Sequence, residues 1–445
     1  MGTTIPTVAE LGSLLERLGG AEGATSDAER IDLISALESL KGAAAAAQAR
    51  LTITFDDSQR REQAARGVPA KRRGLGIAGQ VALARRDSPN KGARHLGLAR
   101  ALVTEMPHTL RALAEGRISE WRASILVRET AVLSRDHRAE VDAALADRLG
   151  NLGDRGVERE AKKLAYKLDP GSVIRRARRA NDDRRVSIRP APDTMSYVTG
   201  LLPVAQGVAV HVALTKHADA LRGAGDPRSR GQIMADTLVE RVTGQAQVPE
   251  VPVEVHLVMT DRALLDADDT PARIVGHGPI PASLARSLIR AGSAAAQARA
   301  WVRRLYTNPV TGDLIAMDSR RREFPAALRK FLVIRDEVCR TPWCDAPIRH
   351  ADHILRAADG GSTSADNGQG LCEACNQAKE AAGWEVSTSR AGPAAPVTVM
   401  TPTGRCYTST CPDPPGGRPP LAEIRRTEGS RSVGEEHFKK LAVPA

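Results

Sequence analysis

The sequence predicts a mainly α-helical N-terminal domain, a small α+β segment and a C-terminal module held together by zinc. Three observations lead to this fold class. Apolar residues recur at the helical period through the first part of the chain. Short alternating runs typical of strands follow. Four cysteines with metal-ligand spacing then lie between Cys339 and Cys375. A chain of 445 residues is long enough for two or three domains with buried cores.

Helical patterns begin at Ser26, which forms a capping-box pattern with Glu29. Apolar residues follow at helical spacing, and an Ala-rich continuation runs toward Leu51, which predicts one long helix. Further helical segments are bounded by proline, glycine or serine, at about 75–86, 91–105, 108–115, 119–133 and 135–149. We interpret residues 1–25 as a lead-in and 26–250 as a helical, basic domain.

Strand patterns appear later in the chain. V-S-I-R-P and S-Y-V-T-G-L-L-P predict two short strands, and helical pattern resumes over about 207–242. Residues 253–260 alternate like a strand, and 301–319 have the pattern of a hairpin. We predict an α+β connecting segment with a basic flank over 251–330, the zinc-stapled module over 331–390, closing strands over 391–410 and a tail of little order over 411–445.

Charge is distributed unevenly. The chain carries a net +11, while the window 331–390 has six basic and nine acidic residues. The flank 299–330 has eight basic residues and three acidic ones. Seven arginines between Arg175 and Arg189 fit either a phosphate-contacting ridge or a solvated helix end equally well. The basic excess favours a polyanionic partner that the acidic C-terminal module does not attract by itself.

Composition disfavours several classes of protein. Aromatic residues are only 3% of the chain, which argues against binding single strands by base stacking. No apolar run approaches the length of a membrane span, and the first residues lack the pattern of a signal peptide. All six cysteines follow residue 338, unlike a secreted disulfide framework. We therefore expect a soluble, cytoplasmic protein with no membrane partner.

The cysteines predict a structural zinc site. Cys339 and Cys344 are five residues apart, and Cys372 and Cys375 form C-x-x-C. Two such pairs suit tetrahedral zinc, and a closed four-thiolate site stabilises a fold without a position for substrate. The alternative is a set of free thiols or a redox switch. Cys406 and Cys411 lack further partners, so they are expected to take no part.

Several motifs lie between the two cysteine pairs or directly after them: D-H at 352–353, G-G at 360–361, Asn367, C-x-x-C-N ending at Asn376, and Lys379. This combination resembles the HNH endonuclease family, whose fold is the ββα-metal finger. It implies that His353 is the general base, that Asn367 orients the loop beside it, and that Asp352 and Asn376 bind one Mg²⁺ or Mn²⁺ ion. An imidazole can act as a base near neutral pH, and Mg²⁺ prefers oxygen ligands.

Two features depart from the usual family pattern. The last position of the motif is Asn376 in place of histidine, which favours Mg²⁺ or Mn²⁺ over a softer ion. The stretch N-G-Q-G-L is expected to weaken the second strand, because it contains two glycines. Because of this second departure, the alternative that the module is an inactive copy stays open.

Four further phrases precede the C-terminal module: L-A-E-G-R-I-S-E-W, K-L-D-P, A-R-R-A-N-D-D-R-R-V and M-S-Y-V-T-G-L-L-P. With these phrases the wider chain resembles the 13E12-repeat family, whose helical N-terminal domain has no assigned biochemical role. The resemblance supports a helical domain followed by a C-terminal HNH module.

The sequence as a whole predicts a metal-dependent endonuclease that acts on double-stranded DNA. The candidate phosphate contacts are basic residues in or beside the module: Arg349, Arg356, Lys379, Arg320, Arg321 and Arg322. One alternative is an inactive DNA-binding or regulatory protein with a structural zinc, and another is an enzyme that acts on RNA. The sequence leaves open the target site, the oligomeric state, and whether one or both strands are cut.

Overall fold

Helices dominate the first of the two compact units into which the chain divides, Met1–Arg178 and Arg179–Ala445. The computed structural model describes residues 6–20, 26–244, 257–265, 268–294, 324–389 and 395–413. The helices of the first unit, of which the last continues to Ala180, are α1 (Val8–Gly19), α2 (Asp27–Ala65), α3 (Ile77–Ala84), α4 (Pro89–Glu105), α5 (Pro107–Ala114), α6 (Glu120–Glu129), α7 (Arg135–Leu145), α8 (Asp154–Leu168) and α9 (Pro170–Ala180).

The helix starts follow local capping chemistry. Ser26 accepts a hydrogen bond from the backbone N–H of Glu29 at 3.2 Å and caps α2, as its sequence predicts. Pro89 and Pro107 occupy the first turns of α4 and α5, where no backbone donor is needed. The apolar faces of these helices meet in one core that buries Leu102, Met106 and others.

The second unit combines small sheets with helices. Its elements are β1 (Arg185–Pro190), β2 (Ser196–Leu201), α10 (Val204–Gly223), α11 (Arg230–Thr243), β3 (Leu257–Val258), α12 (Asp261–Leu265), β4 (Ala272–Ile274), β5 (Gly278–Ile280), α13 (Ala282–Ala294), α14 (Ala326–Asp336), β6 (His350–His353), β7 (Gly368–Leu371), α15 (Glu373–Ala378), β8 (Glu385–Thr388), β9 (Val397–Met400) and β10 (Cys406–Ser409). Every strand pair among the described residues is antiparallel: β1–β2, β3–β4–β5, β6–β7 and β10–β9–β8.

A buried ionic cluster fixes the point where α14 leads into the C-terminal module. Asp336 is 1% exposed and forms two contacts with Arg335, at 2.7 and 2.9 Å, and one with Arg340 at 3.2 Å. Its Oδ2 also accepts the backbone N–H of Gly370 at 2.7 Å. The side chain of Arg340 donates to the carbonyl of Ala395 at 3.0 Å, so the cluster joins α14, β7 and the closing strands.

A second buried arginine anchors the same helix to the β3–β4–β5 sheet. Arg273 on β4 donates to the carbonyl of Ile334 in α14 and pairs with Glu337. Burial lowers the pKa of Arg273 from its ordinary value. The α+β segment therefore supports the start of the module directly.

The predicted fold class is confirmed: a helical N-terminal region precedes small sheets and a four-cysteine cluster. The predicted helix after 207 is two helices, α10 and α11. The predicted hairpin at 301–319 and the first half of the predicted strand at 253–260 lie outside the described residues. Within the described ranges, no helix is long and apolar enough to cross a membrane.

Candidate functional site

The four predicted zinc ligands lie together and are buried. The sulfur atoms of Cys339, Cys344, Cys372 and Cys375 all lie within 4.8 Å of one another. The first two lie in the turn after α14, where the backbone N–H of Cys339 donates to Ala346 at 2.9 Å. Cys372 caps α15 and accepts the N–H of Cys375 at 3.4 Å, so that helix start fixes the second pair.

The close approach of the four thiols shifts their pKa values in opposite directions: those of Cys339 and Cys372 are lowered, and those of Cys344 and Cys375 are raised. Hydrogen bonds from the neighbouring thiols, that of Cys339 first, lower the pKa of Cys372 below its ordinary range. The hydrogen bond with Cys339 correspondingly raises the pKa of Cys375. Four thiols this close cannot all ionise without a cation between them. Four clustered thiols, which leave no coordination position open for substrate, fit a tetrahedral structural zinc site.

The remaining candidates lie on a two-stranded sheet and the helix after it. In the β6–β7 register, His350 lies opposite Leu371 and His353 opposite Gly368. Helix α15 packs against β6. The order strand, strand, helix is that of the ββα finger predicted from the sequence.

His353 is buried at the end of β6, and its ring is held on two sides. Its Nε2 lies 2.9 Å from the hydroxyl oxygen of Thr363. The ring of Phe324 lies 4.6 Å away, centroid to centroid, at an angle of 48°. The backbone carbonyl of His353 accepts a hydrogen bond from the ammonium of Lys379 at 2.9 Å. Ring orientation and backbone position are therefore both set by neighbours.

Asp352 and Asn376 each present a buried oxygen that accepts no hydrogen bond from the described residues. The atoms are Oδ2 of Asp352 and Oδ1 of Asn376. The ammonium of Lys379 lies against Asp352 Oδ2 as an ion pair, without the angles of a hydrogen bond. Buried oxygens without donors are costly unless a cation satisfies them. For Asp352 Oδ2 the Lys379 ammonium is one such cation, whereas Asn376 Oδ1 has no hydrogen-bond donor among the described residues.

Asn367 ties the loop between β6 and β7 to the end of β6. Its Nδ2 donates to the carbonyls of Leu355 at 2.9 Å and Ser362 at 2.8 Å. Its Oδ1 accepts the backbone N–H of Leu355 at 2.8 Å. Gly361 lies so close to this bridge that a Cβ there would be 1.9 Å from the carbonyl oxygen of Leu355. These contacts therefore fix the loop that contains Thr363 next to the end of β6.

The two glycines that are expected to weaken β7 do not prevent this strand from forming. All four residues of β7 are buried and pair with β6. A Cβ on Gly370 would lie 2.5 Å from the side chain of Ile348, and one on Gly368 would lie 2.8 Å from the ring of Phe324. The glycines allow neighbouring side chains to pack directly on the strand, which a larger residue would prevent.

The candidate phosphate contacts differ in accessibility. Arg349 and Arg356 are exposed, although the guanidinium of Arg356 also donates to the carbonyl of Lys379 at 3.2 Å. Lys379 is buried at 7% exposure and is directed at β6. Arg320, Arg321 and Arg322 lie outside the described residues. The roles of all six in DNA binding remain predictions.

Sequence reasoning missed several residues that shape the site. Thr363 and Phe324 hold the His353 ring, and Asp336 anchors β7 through Gly370. No local pattern identifies the first two, because their proximity to His353 arises only when the loop and α14 fold against β6. The D-x-x-x-R spacing from Asp336 to Arg340 is visible, but it resembles an ordinary helical ion pair.

The fold and the site together define a protein with a helical N-terminal region and a C-terminal nuclease-type module. Residues 337–382 match the family model described as HNH endonuclease. Residues 34–336 match the model described as Domain of unknown function (DUF222), which spans about two thirds of the chain. The chain belongs to the DUF222 family and carries an HNH endonuclease domain after that region. The resemblance to 13E12-repeat proteins stays a prediction.

Two similar proteins come from Mycobacterium tuberculosis: the uncharacterized protein Rv2100 of strain H37Rv and the uncharacterized protein MT2160 of strain CDC 1551. Each is 32% identical to this chain over 155 residues, which are 33% of this chain. The matched part is 23% of the length of each relative. No solved structure matches this chain.

Proposed function

We propose that this protein is a metal-dependent endonuclease that hydrolyses phosphodiester bonds in double-stranded DNA in the cytoplasm. One observation carries the proposal. The HNH-matched module combines a buried, oriented histidine with two buried oxygens, from Asp352 and Asn376, that accept no hydrogen bond from the described residues. A base beside oxygen ligands for a hard cation is what phosphodiester hydrolysis requires.

His353 is the general base. When Nε2–H is donated to the hydroxyl of Thr363, the neutral imidazole has its unprotonated nitrogen at Nδ1. Nδ1 then takes a proton from the attacking water, which an imidazole can do near neutral pH. Thr363 and Phe324 prevent the ring from turning, and Asn367 acts through the loop that carries Thr363.

Asp352 and Asn376 are the residues that would hold one Mg²⁺ or Mn²⁺ ion. Such an ion supplies charge stabilisation to the phosphate and to the leaving oxygen when it is bound. Asparagine at position 376 contributes an uncharged oxygen, so Asp352 provides the only formal negative charge of this pair. The four cysteines would hold a zinc ion that fixes the start of α15, the helix that carries Asn376.

DNA is held by the basic residues around the module. The exposed guanidinium groups of Arg349 and Arg356 and the side chains of Arg320, Arg321 and Arg322 contact the phosphates. The net charge of +11 supports association with a polyanion. The flanking arginines supply the electrostatic attraction for DNA that the acidic module lacks.

The proposal is tested by plasmid nicking with Mg²⁺ or Mn²⁺, using the wild type, His353→Ala and Asn376→Ala. His350→Ala is the matched control, because His350 lies exposed on the same strand. We expect cleavage by the wild type and the control and its loss in the other two variants. Equal cleavage by all four would assign the nicking to a contaminant. Binding of DNA without cleavage by any of them would favour the inactive, regulatory alternative. Faster cleavage of a matched RNA duplex would reassign the substrate.

A further inference from the structure

The β1–β2 hairpin is a two-stranded ribbon with two chemically different faces. Side chains on opposite residues of an antiparallel pair share a face. One face carries Arg185, Ser187 and Arg189 opposite Leu201, Thr199 and Tyr197. The other carries Val186 and Ile188 beside Val198. All twelve strand residues are exposed, so both faces are accessible within the described residues.

Arginines crowd the polar face and the chain that leads to it. Seven arginines and two aspartates between Arg175 and Arg189 give this stretch a net charge of +5. No carboxylate of the described residues forms an ion pair with any of the seven. Later in the same unit, Arg228 and Arg230 pair with Asp226, Asp236 and Asp219 at 2.5–2.7 Å. Arg228 and Arg230 are therefore neutralised by aspartates, whereas the positive charge of the seven arginines is not compensated by ion pairs with carboxylates of the described residues.

The polar face is also pre-organised. The guanidinium carbon of Arg189 lies 4.0 Å from the ring centroid of Tyr197 across the strand pair. This cation–π contact restricts the side chain of Arg189. An arginine held in one orientation loses less entropy when it binds a phosphate or a base.

We propose that the β1–β2 ribbon is a second nucleic-acid-binding element, which places its Arg185–Arg189 face in the major groove of duplex DNA. A two-stranded ribbon fits that groove, which is about 12 Å wide. Four residues of strand separate the two arginines by roughly 13 Å, so they reach phosphates on the two sides of the groove. Ser187 and Thr199 between them are small hydroxyl donors that face the base edges.

The same geometry selects duplex DNA over other nucleic acids. The major groove of an RNA duplex is too narrow and deep for a protein ribbon. Single strands require several exposed aromatic platforms, and Tyr197 is the only aromatic residue in the two strands. The apolar face, with Val186 73% and Ile188 72% exposed, is directed away from DNA in this arrangement.

This inference rests on the proposed function for the identity of the substrate, and binding is therefore measured separately from cleavage. Full-length Arg185→Gln/Arg189→Gln is compared with the wild type and with Arg222→Gln/Arg241→Gln, which removes two exposed arginines from α10 and α11. The probe is a 30-base-pair DNA duplex, titrated without added divalent ions at several salt concentrations. Thermal melting establishes that all three proteins are folded.

We expect the ribbon variant to lose on the order of tenfold in affinity at 0.1 M salt, with a salt slope lower by about 2. The control should bind like the wild type, and a matched RNA duplex should compete weakly. Unchanged DNA affinity in the ribbon variant overturns the inference, even if the wild type cleaves DNA. So does a change in oligomeric state without a change in affinity, which would make the ribbon a self-association surface. Ribbon-dependent binding in a protein that never cleaves would support the inference and overturn the proposed nuclease activity.

Discussion

The ammonium of Lys379 lies against the carboxylate oxygen of Asp352 that the proposed mechanism assigns to the catalytic metal. The same ammonium donates to the backbone carbonyl of His353 at 2.9 Å. Lys379 is 7% exposed, so its charge is poorly screened by water. A divalent cation at Asp352 must therefore work against a resident positive charge, and Lys379 is expected to tune metal affinity.

Lys379→Met tests this relationship, because methionine keeps an aliphatic chain and removes the charge. Without divalent ions, the free energy of unfolding should fall by about 1–3 kcal/mol, because a partly buried carboxylate loses its partner. Mn²⁺ should bind the zinc-loaded variant more tightly than the wild type, as measured by titration calorimetry, since the repulsion is gone. Lys330→Met, at an exposed position on α14, is the control. Equal Mn²⁺ affinity in the wild type and Lys379→Met would show that the ion pair does not oppose metal binding.

Cys372→Ser should abolish zinc binding. Cys372 is a member of the buried tetrad and also caps α15, so its loss removes a ligand and leaves three thiols without a closed site. Zinc content, measured by mass spectrometry of metals, should fall to near zero. Hydrogen exchange should accelerate in residues 337–382 and stay unchanged in the helices of the first unit.

Cys406→Ser is the matched control for zinc, because Cys406 is exposed and is not among the four clustered thiols. It should retain the zinc content and the exchange protection of the wild type. If Cys372→Ser kept both, the tetrad would not be a structural metal site.

The sequence was sufficient for features that local chemistry determines. Ser26 caps α2, the C-x-x-C pair starts α15, and the order of strand, strand and helix follows from short-range pattern. These features depend on residues a few positions apart. The family match to residues 337–382 agrees with the motif from which the module was predicted.

Features that depend on contacts between residues far apart in the sequence could not be predicted from local patterns. Glycine is disfavoured in strands, and the local sequence does not indicate that β7 needs Gly370 because Ile348 packs directly on it. Lys379 resembled a surface cation in the sequence, but it is buried because α15 packs on β6. Tertiary packing decided both cases.

Asp336→Asn should strongly destabilise the C-terminal module. The change keeps the shape of the side chain but removes the negative charge that Arg335 and Arg340 share, at 9% and 3% side-chain exposure. An uncompensated buried charge costs about 3–5 kcal/mol. Urea unfolding monitored by hydrogen exchange of residues 337–382 measures the loss. Asp359→Asn, at an exposed position in the loop, should change stability by less than about 0.5 kcal/mol. A similarly small effect of Asp336→Asn would show that the cluster is not a stabilising element.

Asn367→Ala should impair catalysis through the loop and leave substrate binding intact. Asn367 has no assigned contact with substrate, but its three hydrogen bonds fix the base of the loop that carries Thr363, the partner of His353. Without them, hydrogen exchange in residues 355–366 should accelerate and the His353 ring should lose its fixed orientation. Misplacement of a base on this scale reduces kcat by on the order of tenfold to a hundredfold, with KM little changed.

Asn367→Asp separates this positioning role from a requirement for any polar residue at position 367. A carboxylate has no N–H donors and would face the carbonyls of Leu355 and Ser362, so it should be at least as damaging as alanine. Asn151→Ala, at an exposed position in the first unit, should leave kcat and exchange unchanged. Wild-type kcat in both Asn367 variants, or a rise in KM alone, would contradict the positioning role, because a residue that acts through His353 must alter the chemical step.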